Sequence, residues 1–122
     1  LNARMSEGLY RTSKERREDP TLEFLYRSAG PVWYRGMVCA DEKYDPLTPE
    51  QTDALLRRYD ADRLLVGHTI FPDISTFHDG RVIAINVQNE LNRRKNRDRA
   101  VLIEGSRISV VGNRGVKRVL EE

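Results

Sequence analysis

Apolar positions along this chain follow helical spacing in its first half and strand spacing in its second. The clearest element runs from Thr48 to Tyr59, where Thr52, Leu55, Leu56 and Tyr59 fall on one face at i, i+3, i+4 and i+7. Thr48 and Gln51 form a capping-box signature, and Pro49 suits the first helical position. After the connector Asp60-Ala61-Asp62, the uninterrupted apolar run Leu64-Leu65-Val66 predicts a buried strand. A helix, a short turn and an apolar strand make half of an α/β unit.

Downstream the pattern is β-rich. Ile74 to Phe77 and Arg81 to Val87 flank Asp79-Gly80, a two-residue hairpin signal. Val101-Leu102-Ile103 and Ile108 to Val111 flank Glu104-Gly105-Ser106-Arg107, which predicts a second hairpin. Gly112-Asn113-Arg114-Gly115 reads as a further turn, with Val116 to Leu120 as an edge strand. Upstream, Leu1, Met5 and Leu9 recur at weak helical spacing, and the charged run 14–19 reads as a solvated helix face or loop that ends at Pro20. Leu22, Leu25 and Tyr26 predict one more helical turn on an apolar surface, and residues 40–47 read as a loop. The fold class expected is α/β (α+β), as one domain portion spanning 1–122.

Composition narrows the function. The charged fraction of 33% against 39% hydrophobic implies a soluble protein with a modest core; the sequence leaves the compartment unknown, with the cytoplasm slightly favoured. Apolar runs are far too short for a membrane span. Twenty-one basic residues against 19 acidic ones leave a net charge of +2, too balanced to require nucleic acid. The single Cys39 excludes an internal disulfide, and no Cys/His cluster suggests structural zinc.

Few residues remain for chemistry. In Arg63-Leu64-Leu65-Val66-Gly67-His68-Thr69, a strand ends at a glycine and presents His68 where the loop begins. An imidazole there suits a metal or a phosphate, with Gly67 letting the backbone bend close to the site; a strand-end histidine held by a hydrogen bond is the plainer reading. His78, directly before Asp79-Gly80, reads as a hairpin residue near solvent, and Asp73 as a loop cap. The run Arg93, Arg94, Lys95, Arg97 and Arg99 lacks interleaved aromatics, so it reads as a solvated loop or as a patch steering anionic ligands.

Val66-Gly67-His68-Thr69, with the helix before it and the Phe77 to Ile85 hairpin after it, resembles the last metal motif of calcineurin-like metallophosphoesterases. Gly30-Pro31-Val32-Trp33-Tyr34-Arg35-Gly36 is similar to a segment of the bacterial, Shewanella-like branch of protein phosphatases. The resemblance implies a β-sandwich with flanking helices, and His68 as a ligand of the second of two divalent metal ions (Mn, Fe or Zn). It implies Arg35 as the group that binds substrate phosphate, and a metal-activated water attacking phosphomonoesters. Without the resemblance, Arg35 reads as a surface arginine stacked on Trp33 or Tyr34. The family's Asp-x-His, Gly-Asp-x-x-Asp, Gly-Asn-His-Glu and His-Gly-Gly motifs are absent. The expectation is therefore the C-terminal half of such a domain, beginning shortly after His-Gly-Gly. Alone it is inactive, and its partner is the missing half or another copy of the chain. The alternative is a non-catalytic α/β module binding an anionic partner through residues 93–99.

Overall fold

The computed structural model describes residues 1–121 and divides the chain into two compact units, Leu1–Leu47 and Thr48–Glu122, the last residue lying outside the described part. The secondary structure is mixed α and β, as the pattern predicts.

The first unit is helical. It consists of α1 (Asn2–Leu9), α2 (Ser13–Glu18) and α3 (Pro20–Tyr26), then a 3₁₀ turn over Glu42–Tyr44 within the predicted loop. The charged run is indeed a solvated helix, α2, with no buried residue and a Thr12–Glu15 capping box. Pro20 ends that helix and also opens the next. Its fixed φ suits the first helical position, and the Asp19 carboxylate caps the amides of Thr21 and Leu22. Leu22 and Leu25, at 2% and 1% exposure, form the buried side of α3.

Asp19 also pairs with Arg4 of α1, which in turn holds Glu7. The Arg4 guanidinium and then the capping amides hold the Asp19 carboxyl below its ordinary range. A depressed carboxylate contributes stability above that range and loses it as pH falls through the folded value. The helical signal of this unit is therefore expected to fall as pH drops below the ordinary carboxylate range. In Asp19→Asn that acid loss should shrink, as read by far-ultraviolet circular dichroism; an unchanged acid profile would remove Asp19 from the account.

The second unit opens with α4 (Pro49–Tyr59), whose Thr48–Gln51 capping box is complete. Thr52 and Leu56 are buried, but Tyr59 is 68% exposed, so the apolar face closes before the last turn. Three short strands follow: β1 (Leu64–Val66), β2 (Ser75–Phe77) and β3 (Val82–Ala84). They form a mixed sheet of order β1-β3-β2, with β1 parallel and β2 antiparallel to β3. The expectation of a buried strand at 64–66 is corrected here. β1 lies on an edge and leaves Leu65 43% exposed, whereas central β3 is buried along its whole length. Between β2 and β3, Asp79 and Gly80 both have positive φ, as the Asp-Gly signal requires.

Helix α5 (Asn89–Arg94) then leads to β4 (Ala100–Glu104), β5 (Arg107–Gly112) and β6 (Gly115–Glu121), an antiparallel meander of order β4-β5-β6. Its two tight turns fall at Gly105-Ser106 and Asn113-Arg114. Both sheets share one core: Ile74, Ile83 and Val87 pack with Ile108 and Val110, flanked by Val101 and Leu120. No helix is long and apolar enough, among the described residues, to cross a membrane.

Candidate functional site

The parallel ladder between β1 and β3 does not end at the strands. The Ile85 amide donates to the Val66 carbonyl at 2.9 Å, and the Phe71 amide to the Asn86 carbonyl at 2.9 Å. Phe71 then bridges Val87 in parallel register. Residues 67–70 are an excursion between two rungs of one ladder, and His68 stands in it at the C-terminal end of the sheet. Crevices at the carboxyl ends of parallel strands are the usual ligand positions in such sheets.

The bend of that excursion is tight. The Thr69 amide donates to the Gly67 carbonyl at 2.9 Å across His68, whose φ is +71°. A two-residue closure with positive φ at its centre is the rare, strained form of γ-turn. A non-glycine residue held there costs on the order of 1–3 kcal/mol, a strain typical of functional loops. The expected hinge at Gly67 is corrected: its φ is not positive and a Cβ there would meet nothing within 4 Å, so the bend falls on the histidine. His68 and its neighbour Ile70 are both exposed. Beside them lies an open hollow of about 480 Å³ lined by Ile70, Val87, Leu91, Glu90 and Arg94.

Arg35 belongs to the first unit. Its guanidinium lies 5.8 Å from the ring centroid of Tyr44. Its carbonyl accepts from the amides of Val38 and Cys39, both at 3.0 Å. The adjacent loop is pinned by Tyr34, whose hydroxyl donates to the Asp45 carbonyl at 3.0 Å. The Leu47 amide likewise donates to the Gly36 carbonyl at 3.0 Å. A Cβ at Gly36 would approach that Tyr34 hydroxyl to 2.4 Å and the Asp45 carbonyl to 2.5 Å, so the loop closes only over a glycine. Burial, and then the nearby Asp45 charge, raise the Tyr34 phenol above its ordinary pKa, which keeps the hydroxyl a donor.

His78 sits in the β2–β3 turn, half-buried, with its Nδ1 3.3 Å from the Thr52 hydroxyl of α4. Arg81 reinforces the same junction through Asp53 at 3.1 Å. Asp73 caps its loop, accepting from the Ile74 amide at 2.7 Å and facing Arg99 at 3.4 Å. The run 93–99 is not a plain loop: Arg93 and Arg94 lie on α5, and Arg94 is ion-paired with Glu90. Opposite charges thus offset part of this run.

Among the described residues no three His, Cys, Asp or Glu side chains come together as a metal site. His68 by itself offers one nitrogen donor.

Sequence reasoning missed a second hollow, in the first unit. A cavity of about 490 Å³ opens between α2, α3 and the following loop, with Arg16, Arg17, Arg27, Glu23, Tyr26 and Trp33 in its wall. The nearest signal in the sequence is the placement of three arginines around the only tryptophan.

No protein-family model matches the chain, and no curated protein matches it. Its fold is similar to that of a cold-active protein tyrosine phosphatase, with a TM-score of 0.58 and 22% identity over 88% of this chain and 30% of that one. A cold-active protein tyrosine phosphatase of a psychrophilic Shewanella species is similar at a TM-score of 0.58 and 23% identity, over 89% of this chain and 30% of the other. The chain thus shares its fold with a part of these solved structures and spans about 30% of their length.

Proposed function

We propose that this chain is the C-terminal part of a phosphatase that hydrolyses phosphomonoesters, with phosphoproteins as the substrate class. The observation that carries this reading is the likeness of its fold to cold-active protein tyrosine phosphatases. The strained turn at His68 supports it, because that turn points an imidazole outward at the ligand-binding end of a parallel strand pair.

In this reading Arg35 holds the substrate phosphate through a planar fork that matches two of its oxygens. Tyr44, under the guanidinium, limits the directions in which that fork can turn. His68 supplies a nitrogen donor on a backbone fixed by the tight turn. A pair of divalent ions does not fit the described residues by themselves, since one imidazole is too few donors. In this reading the further donors would come from a segment outside this chain. The alternative, an anion-binding module built on residues 93–99, draws less support because Glu90 and Asp73 offset part of the run.

The test is the intact mass and N-terminal sequence of the protein as it occurs in its source, paired with p-nitrophenyl phosphate hydrolysis by the same material, with and without added manganese. A longer chain with turnover is expected. A gene product of these residues alone, inactive under both conditions, would sink the reading.

A further inference from the structure

We propose that the hollow of the first unit is a binding site for a phosphate carried on an aromatic ring, with phosphotyrosine as the simplest such ligand. The proposal does not rest on the phosphatase reading and concerns residues other than Arg35.

The charge distribution is the first argument. Arg4 and Arg11, elsewhere in this unit, are ion-paired with Glu7 and Asp19. Among the described residues Arg16, Arg17 and Arg27 form no ion pair, although they converge on one cavity with Glu23 as its one acidic lining residue. Three guanidiniums against one carboxylate leave the hollow with excess positive charge, and a partly enclosed wall strengthens its pull on an anion.

How these cations are held is the second argument. Arg16 lies 4.6 Å from the centroid of the Tyr26 ring, and Arg27 lies 5.3 Å from that of Phe24. A ring face takes up the plane of a guanidinium and leaves its N–H edge for an anion, whereas a carboxylate partner would occupy that edge. The Arg16 side chain is further steadied by the Ser13 hydroxyl at 3.4 Å, and Arg17 by the Ser13 carbonyl at 3.1 Å.

Trp33 supplies the third argument. It is 50% exposed at the rim of the same cavity. An exposed indole beside fixed guanidiniums is a stacking surface for a flat ring whose phosphate reaches the cations. The volume of about 490 Å³ suits a ligand of that size.

Trp33 is the single tryptophan of the chain, so its emission reports on this rim. The experiment titrates the chain, in EDTA and at constant ionic strength, with phosphotyrosine, tyrosine, phosphoserine and inorganic phosphate. Saturable quenching by phosphotyrosine is expected, with tyrosine and inorganic phosphate each needing about tenfold higher concentration. Arg17→Gln and Arg27→Gln should each weaken phosphotyrosine about tenfold, and Arg27→Lys less, because it keeps the charge but loses the fork. Equal responses to phosphotyrosine and tyrosine would overturn the site. So would a phosphotyrosine response that Arg35→Gln removes while Arg17→Gln and Arg27→Gln leave it intact, since the ligand would then sit at Arg35. Loss of turnover in the source protein bears on Arg35 and His68 and leaves this result untouched.

Discussion

Ile83→Ala is expected to lower the stability of the second unit by about 3–4 kcal/mol, within the range for truncating a buried isoleucine to alanine. Ile83 is 1% exposed at the middle of β3. It pairs with Leu65 on one side and Thr76 on the other, and packs with Ile74, Val87, Ile108 and Val110. Its side chain therefore joins both sheets, and no neighbouring strand can collapse into the space without moving one of them. Small domains hold on the order of 5–15 kcal/mol in total, so the loss takes a large share of the margin. Urea unfolding should show a lower midpoint at an unchanged slope, and Ile83→Val a shift of only about 1 kcal/mol. A cost below about 1 kcal/mol for the alanine variant would mean that β3 is not the centre of the core.

His68→Ala, made in the protein that carries the hydrolytic activity, is expected to lower turnover of p-nitrophenyl phosphate by more than about a hundredfold. Groups that merely orient a ligand cost about 10–100-fold when removed, and a donor itself should cost more. Its effect on stability should stay within about 1–2 kcal/mol, the size of the left-handed penalty that alanine meets at that φ. His68→Asn separates the two effects. Asparagine tolerates a positive φ better than alanine, so less stability should be lost, while the imidazole is gone and turnover should fall as far as in the alanine variant. Near-wild-type turnover in His68→Asn would remove the ring from the chemistry.

The elements legible in the sequence are those whose signals are local. The helix at 49–59 carries its cap and its stripe within a dozen residues, and Asp79-Gly80 and Gly105-Ser106 carry the backbone conformations their turns need. Strand order is a different matter. Leu64-Leu65-Val66 is as apolar as the run at Val82, but which of them is central depends on β2 returning to the far side of β3, a pairing set by the whole sheet. The same holds at the candidate site. Gly67 is the natural hinge by composition, but the ladder resumes at Phe71 in a register that throws the bend onto His68. Arg35 meets the ring of Tyr44, a partner nine residues away brought near by the loop that Gly36 closes. The arginine hollow was illegible for the same reason, since α2, α3 and the Trp33 loop must first fold together.

Asp45, Asp60, His68, His78, Asp79 and Asn96 are the described non-glycine residues with left-handed backbone. All are aspartate, asparagine or histidine, the side chains that tolerate it best. The consequence is a restricted alphabet for drift at these positions: Asn, Asp, His and Gly exchange at little cost to the fold, and valine or isoleucine does not. At His78 the ring also meets Thr52, which gives packing its own reason to keep a histidine. At His68 the backbone alone would accept an asparagine, so the left-handed turn does not by itself account for the imidazole.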